Sequence, residues 1–162
     1  MKKLWAPWRI GYIRKTIDKK KQRCIFCARK QARGKNYVVF ETAHSRVMLN
    51  LFPYNNGHLL VSPRRHVADI ALLDDRELLD LFKAVNRARA LLAKAIKPAG
   101  YNIGINISRS AGAGITEHVH VHIVPRWEGD TNFMPVIFNA KVISQSLGEL
   151  HRLLKAKAAE ES

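Results

Sequence analysis

At 162 residues, with 47% apolar and 25% charged side chains, the chain has the balance of an ordinary globular protein with room for one domain and a real hydrophobic core, which excludes a disordered chain or two comfortable domains. No apolar run reaches the roughly 18 residues of a membrane span, and Met1 to Trp8 holds none of signal-peptide length, so the expectation is a cytoplasmic protein without a membrane partner. The net charge of +15 is concentrated at one end: residues 1–35 hold 13 Lys or Arg and one acid, Asp18, so 13 − 1 = +12 lies there.

Residues 1–23 read as a basic leader. Such a segment attracts anions, nucleic acid or polyphosphate, through its long-range field. Lys19-Lys20-Lys21 has no aromatic interleaving, however, and reads better as a solvated run, so a nucleic-acid partner is possible but not favoured. Cys24 and Cys27 follow as a Cys-x-x-Cys pair. Two cysteines this close build no disulfide framework, which leaves metal binding, redox chemistry or no role.

Short apolar runs bounded by turn residues then predict strands at Tyr37–Phe40, Arg46–Asn50 and His58–Val61, with a turn over Pro53–Gly57. A helix is predicted over about 75–96. Asp74 and Glu77 form a capping-box-like start, Leu78, Leu81, Phe82, Val85, Ala88, Leu92 and Ile96 recur at three-and-four spacing, and Pro98 and Gly100 end it. Further strands are predicted over Tyr101–Ile107 and His118–Val124. A second helix is expected over about 142–158, with Ile143, Leu147, Leu150 and Leu154 as the stripe that packs on the sheet or on a partner subunit. Three strands, a long helix and two more strands predict an α+β domain, an antiparallel sheet with a helix on it.

The last strand carries His118-Val119-His120-Val121-His122. With a period of two, the three imidazoles line one strip of surface while Val119, Val121 and Ile123 face the core. Three of seven histidines within five residues are hard to assign to packing. Two chemistries compete: a divalent metal held on the strand face, or an imidazole acting as nucleophile toward phosphorus. The loop from Asn106 to Thr116, rich in Gly and Ala, lets backbone N–H groups approach an anion, which favours a phosphate held against imidazole.

His118 to Val124 also matches the mark of the histidine triad (HIT) superfamily, His-φ-His-φ-His-φ-φ, and the chain resembles the Fhit-like branch through Pro125-Arg126 and through Asn50 to Val61. The flanks Leu4 to Arg9 and Trp127 to Phe133 look like those of single-domain bacterial diadenosine tetraphosphate phosphorylases and hydrolases within it. The resemblance implies a HIT-like fold and a homodimer, divided as leader 1–23, HIT domain 24–141, and C-terminal helix and tail 142–162. It implies His120 as the nucleophile that carries a covalent AMP, His122 and His58 as orienting and polarising groups, and His118 as a phosphate-holding or positioning neighbour. Asn106 would contact the phosphate, with Gly112, Gly114 and Thr116 in the adjoining loop, and Asn50 would contact the ribose; Met48, Leu51 and Phe52 are base-pocket candidates. Many members carry Gln or Ser just before the triad where this chain has Ala113-Gly114-Ile115-Thr116, which leaves the leaving-group contact open. No cofactor is implied for catalysis. A structural zinc is implied at Cys24, Cys27, His66 of Pro63-Arg64-Arg65-His66, and His118. His44 and His151 receive no role.

The implied substrate is a dinucleoside polyphosphate, with phosphate or water as acceptor. Three rivals differ in testable ways: a Hint-like phosphoramidase or acyl-adenylate hydrolase, a protein that removes adenylate from nucleic-acid ends, and a nucleotide sensor without turnover.

Overall fold

A computed structural model of the chain describes residues 24–28, 37–131 and 142–160. The leader 1–23, the segments 29–36 and 132–141, and the last two residues lie outside the described residues, and with them the flanking motifs Leu4 to Arg9 and Asn132-Phe133.

Five strands form one antiparallel sheet: β1 (Val38–Glu41), β2 (Ser45–Leu49), β3 (Leu59–Pro63), β4 (Gly100–Ile105) and β5 (Val121–Arg126), in the order β1-β2-β3-β5-β4. A 3-10 turn (Ile70–Leu72) and helix α1 (Asp75–Ile96) connect β3 to β4, and helix α2 (Leu147–Ala159) ends the described chain. The α+β architecture expected from the pattern of runs is therefore present.

The Asp74 carboxylate accepts the Glu77 N–H and the Glu77 carboxylate accepts the Asp74 N–H, a complete capping box that starts α1 where expected. The helix ends at Ile96 because Lys97 turns into the left-handed region, φ 44°, ahead of Pro98. α2 begins later than the apolar stripe suggests. Ile143 continues the stripe, but Ser146 and Glu149 form the second capping box and fix the start at Leu147.

Period-two alternation divides the sheet into two faces. Val47 and Leu49, Leu59 and Val61, and Val121 and Ile123 face α1, where they meet Leu81, Val85, Ala88, Leu91 and Leu92 and, from α2, Leu150 and Leu154. The C-terminal helix thus shares the main core; His151 Nε2–H donates to Val38 O at 2.8 Å and ties it to the edge strand β1. On the other face Met48 and Leu60 pack with Phe26 from the cysteine turn.

Two sequence expectations are corrected here. The ladder of β5 begins at Val121 instead of His118, since Val119 N–H leaves the sheet to donate to Val67 O at 2.7 Å. The histidine face is also not an open strip: His118 is 0% and His120 4% exposed, because Phe26 and the cysteine turn lie over them.

Candidate active site

Three elements bring the histidines together. β5 carries His122 and the approach to β5 carries His120, while the Pro53–Gly57 turn delivers His58 at the entry to β3, where Leu60 pairs with His122. Gly57 makes that turn possible. Its φ is +75°, and a Cβ there would lie 2.5 Å from Ile96 Cδ1.

The hydrogen bonds then assign the protons. The Tyr54 backbone N–H donates to His58 Nδ1 at 3.0 Å, and Asn50 Nδ2 lies 3.2 Å from the same atom, so Nδ1 is an acceptor and the proton of His58 sits on Nε2. That Nε2–H faces His122 Nδ1 at 3.0 Å, which makes His122 Nδ1 an acceptor and places the His122 proton on Nε2. His120 is oriented separately: its Nδ1–H donates to the His118 carbonyl at 2.9 Å, leaving Nε2 with its lone pair. Burial lowers the pKa of His120, opposed by that bond to His118, and burial with the nearby His122 and His120 holds His58 down to about 3. Both rings are neutral at pH 7.

Tyr54 and Phe26, which received no role from the sequence, complete the cluster. The Tyr54 ring stacks on His122 at 14° between planes and lies 4.6 Å from His58. Phe26 lies 5.1 Å from His118 and 4.8 Å from His120. Their shared signal was position inside motifs already singled out, Pro53–Gly57 and Cys24–Cys27, but neither contact is encoded by local spacing.

His118 faces elsewhere. Its Nε2–H donates to Pro63 O at 2.8 Å, so Nδ1 carries the lone pair, and burial keeps its pKa down to about 4 against the pull of that carbonyl. Nδ1 lies 3.3 Å from Cys24 Sγ, 3.5 Å from Cys27 Sγ and 3.2 Å from His66 Nδ1. The four donor atoms fall within 4.8 Å of one another. The sequence offered His118 both as a catalytic neighbour and as a ligand; the structure turns its ring to the cysteines. His66 is held in reach by its neighbour Arg65, which forms a two-point ion pair with Glu77 of α1 at 2.8 and 2.6 Å.

The substrate candidates are distributed unevenly. Asn106 stands one residue past the last pair of the β4–β5 ladder, Ile105 with Val121, which puts it level with His120. Asn50 Oδ1 accepts from Phe52 N–H at 2.9 Å, so its amide is engaged with both Phe52 and His58. The loop after Asn106 folds on itself, Gly112 N–H donating to Arg109 O at 2.9 Å and Ala113 N–H to Ser108 O at 3.2 Å, with Ser108 and Gly112 at positive φ. Gly114 and Thr116 are half-buried beside it. Met48 is fully buried in the cluster with Phe26, Leu51 is half-buried, and Phe52 is exposed.

A clamp holds the turn against the end of β5. Asn55 Nδ2 donates to Pro125 O at 3.1 Å and to Asp130 at 2.7 Å, while Asp130 takes a two-point pair from Arg126 and the Trp127 N–H.

The HIT domain family model matches residues 31–129. Over 99% of its length the chain is 34% identical to the AP-4-A phosphorylase of Mycobacterium tuberculosis, covering 86% of that protein. A match of 35% identity spans 63% of the chain and 56% of the asymmetrical bis(5'-nucleosyl)-tetraphosphatase of Schizosaccharomyces pombe. Among solved structures, a hypothetical histidine triad nucleotide-binding protein of Sulfolobus tokodaii superposes with a TM-score of 0.69 and 29% identity, over 85% of this chain and 93% of that one. With its triad, its fold and these matches in agreement, the chain belongs to the HIT domain family.

Proposed function

We propose that this chain cleaves the α-phosphate anhydride of dinucleoside polyphosphates such as diadenosine tetraphosphate, through a covalent nucleotidyl group on His120. The observation that carries the reading is the His120 tautomer: its Nδ1–H is held by the His118 carbonyl, so an unprotonated Nε2 is presented by a ring fixed from behind. In the first step Nε2 attacks the α-phosphorus, a P–N bond forms, and the P–O bond to the leaving polyphosphate breaks with its electron pair. In the second, an oxygen of phosphate or water attacks the same phosphorus, the P–N bond breaks with its electron pair returning to His120 Nε2, and the proton of an attacking water is released to solvent.

His122 carries its proton on Nε2 because His58 fills Nδ1, so it is a hydrogen-bond donor to the oxygens of the transferring phosphoryl group. His58, in turn set by Tyr54 and Asn50, keeps His122 in that form. Asn106 contacts the phosphate, and Asn50 reaches the ribose with the amide proton not directed at His58. Gly112, Gly114 and Thr116 border the leaving group and Leu51 borders the base, while Met48, buried against Phe26, packs the sheet face instead of touching the base. The dinucleoside polyphosphate names of the relatives in Mycobacterium tuberculosis and Schizosaccharomyces pombe support the substrate class.

The residues around His118 fit a metal ion. Two sulfurs and two ring nitrogens converge, and His118 Nε2–H is already held by a backbone carbonyl, the arrangement that orients metal-ligating histidines. Cys24, Cys27, His66 and His118 would hold zinc as a closed structural site that supplies a cross-link between the cysteine turn, the segment after β3 and the triad. The reading includes a homodimer, as the family resemblance implies; sedimentation as a single 18.4 kDa chain counts against it.

The test is incubation of wild type and His120→Asn with diadenosine tetraphosphate, with and without inorganic phosphate. ADP and ATP formed only with phosphate identify a phosphorylase, and AMP and ATP formed without it a hydrolase. No turnover, or equal turnover by the variant, sinks the reading for this substrate.

A further inference from the structure

The cysteine turn does more than hold two sulfurs. It is closed by Ala28 N–H and Cys27 N–H, both donating to Cys24 O at 3.0 and 3.2 Å, and its middle residue, Phe26, is driven into the sheet face. Phe26 is 2% exposed and is backed by Met48 and Leu60, with Ile25 and Ile115 at the edge. Its ring bears on His118 and on His120. The backbone of the turn is gripped from β2: Arg46 donates to Phe26 O and, at 3.4 Å, to Ala28 O, while its Nε is held by Glu41.

His120 is therefore held at three places. The His118 carbonyl fixes Nδ1, the His122 ring lies 4.9 Å away, and the Phe26 ring lies 4.8 Å away. The hydrogen bond from Nδ1 anchors one atom of the ring and leaves its tilt to the packing around it, so a packed neighbour is needed to fix where Nε2 points. Phe26 is that neighbour, and it is fastened at both ends by candidate metal ligands.

We propose that Phe26 is a positioning residue for His120, and that metal occupancy at Cys24 and Cys27, assisted by the Arg46 grip on the turn, sets the aim of the nucleophile. The proposal rests on the reading of His120 as nucleophile. Misplacing a reacting atom by about 1 Å costs on the order of 100-fold in rate, which sets the size of effect to look for.

The experiment uses the full chain and the variants Phe26→Ala, Phe26→Leu and Arg46→Met. It measures kcat and KM with diadenosine tetraphosphate, bound zinc per chain with a chromogenic chelator, and the imidazole 15N signals of His120. The expected result is a kcat lower by about 10- to 100-fold in Phe26→Ala, with KM within about twofold and zinc content as in wild type. The His120 signals change from those of one Nδ1–H tautomer to an average of two. Phe26→Leu, which restores most of the apolar volume, recovers most of both readouts, and Arg46→Met shifts both in the direction of Phe26→Ala. Removing zinc from wild type reproduces the change in the His120 signals.

A rise in KM alone, or a loss of kcat with the His120 signals unchanged, overturns the positioning role. Signals unchanged on zinc removal overturn the coupling to the metal. If Phe26→Ala does not fold, Phe26→Leu and Arg46→Met decide the question, and wild-type kcat and signals in both overturn it. Full turnover by His120→Asn, by contrast, removes the nucleophile while the 15N signals still report whether Phe26 positions the ring.

Discussion

Replacing Gly57 by alanine tests whether the turn that delivers His58 is as tight as it looks. Gly57 has φ +75°, a region that costs an L-residue about 1–2 kcal/mol. The added Cβ would lie 2.5 Å from Ile96 Cδ1, 3.0 Å from Pro125 Cγ and 3.2 Å from Leu92 Cδ2, so three packed side chains must give way at once. Overpacking of that kind costs about 1–3 kcal/mol, and the two contributions together make about 3 kcal/mol the central expectation. For a chain of this size that is a fall in Tm of roughly 6–12 °C. Urea denaturation followed by far-ultraviolet circular dichroism measures it directly. The parts separate in a double-mutant cycle with Ile96→Val, which deletes the atom met first. That cycle should return about 1 kcal/mol of the clash and none of the backbone cost. A Gly57→Ala loss below about 0.5 kcal/mol, or a cycle with no coupling, would refute the packing argument.

Acid should weaken the fold through His58. Its pKa is held down to about 3 from the ordinary 6.5, so as pH falls below 6.5 the unfolded chain takes up a proton that native His58 refuses. The contribution of His58 is full well above pH 6.5 and declines toward pH 3, with about 2 kcal/mol lost from this group between pH 7 and 5; urea titrations should show a smaller loss in His58→Gln, and equal losses contradict it. Asp130→Ala strips acceptors from Asn55, Trp127 and Arg126. With Arg126 half-exposed the ion pair is discounted, and the expected cost is about 1–2 kcal/mol by the same assay; no change would mean the clamp is idle. Chelation of the zinc-loaded protein should lower Tm by about 5 °C or more, and a melt indifferent to chelator argues against a structural metal.

How much of this was legible beforehand depended on the range of each interaction. Helix α1 was readable at both ends because a cap, a 3.6-residue stripe and a proline are all local. The stripe alone starts α2 too early because Ile143 satisfies it, while Ser146, a single hydroxyl, decides the start. The triad and the cysteine pair announced themselves by spacing. What spacing could not tell was that His118 turns to Cys24, 94 residues away, while His120 stays beside His122. The spacing of Asp74 and Glu77 marks a capping box, but nothing local marks the grip of Glu77 on Arg65, since there the same carboxylate serves a neighbour across the fold. Tyr54 and Phe26 were hidden for a related reason: an aromatic inside a turn reads as turn or core until its neighbours in space are known.

The strand order β1-β2-β3-β5-β4 has a consequence for how the chain is made. β3 pairs on one edge with β2, its neighbour in sequence, but its other edge, Leu59–Val61, pairs with Val121–Ile123, which is made only after α1 and β4. Throughout synthesis of α1 and β4 the nascent chain presents an open, wholly apolar strand edge, the kind that recruits other chains. The last strand to arrive closes that edge and in the same movement brings His122 to His58. A product interrupted before residue 121 lacks both the partner of that edge and His122, so for this chain completing the sheet and completing the site are one event.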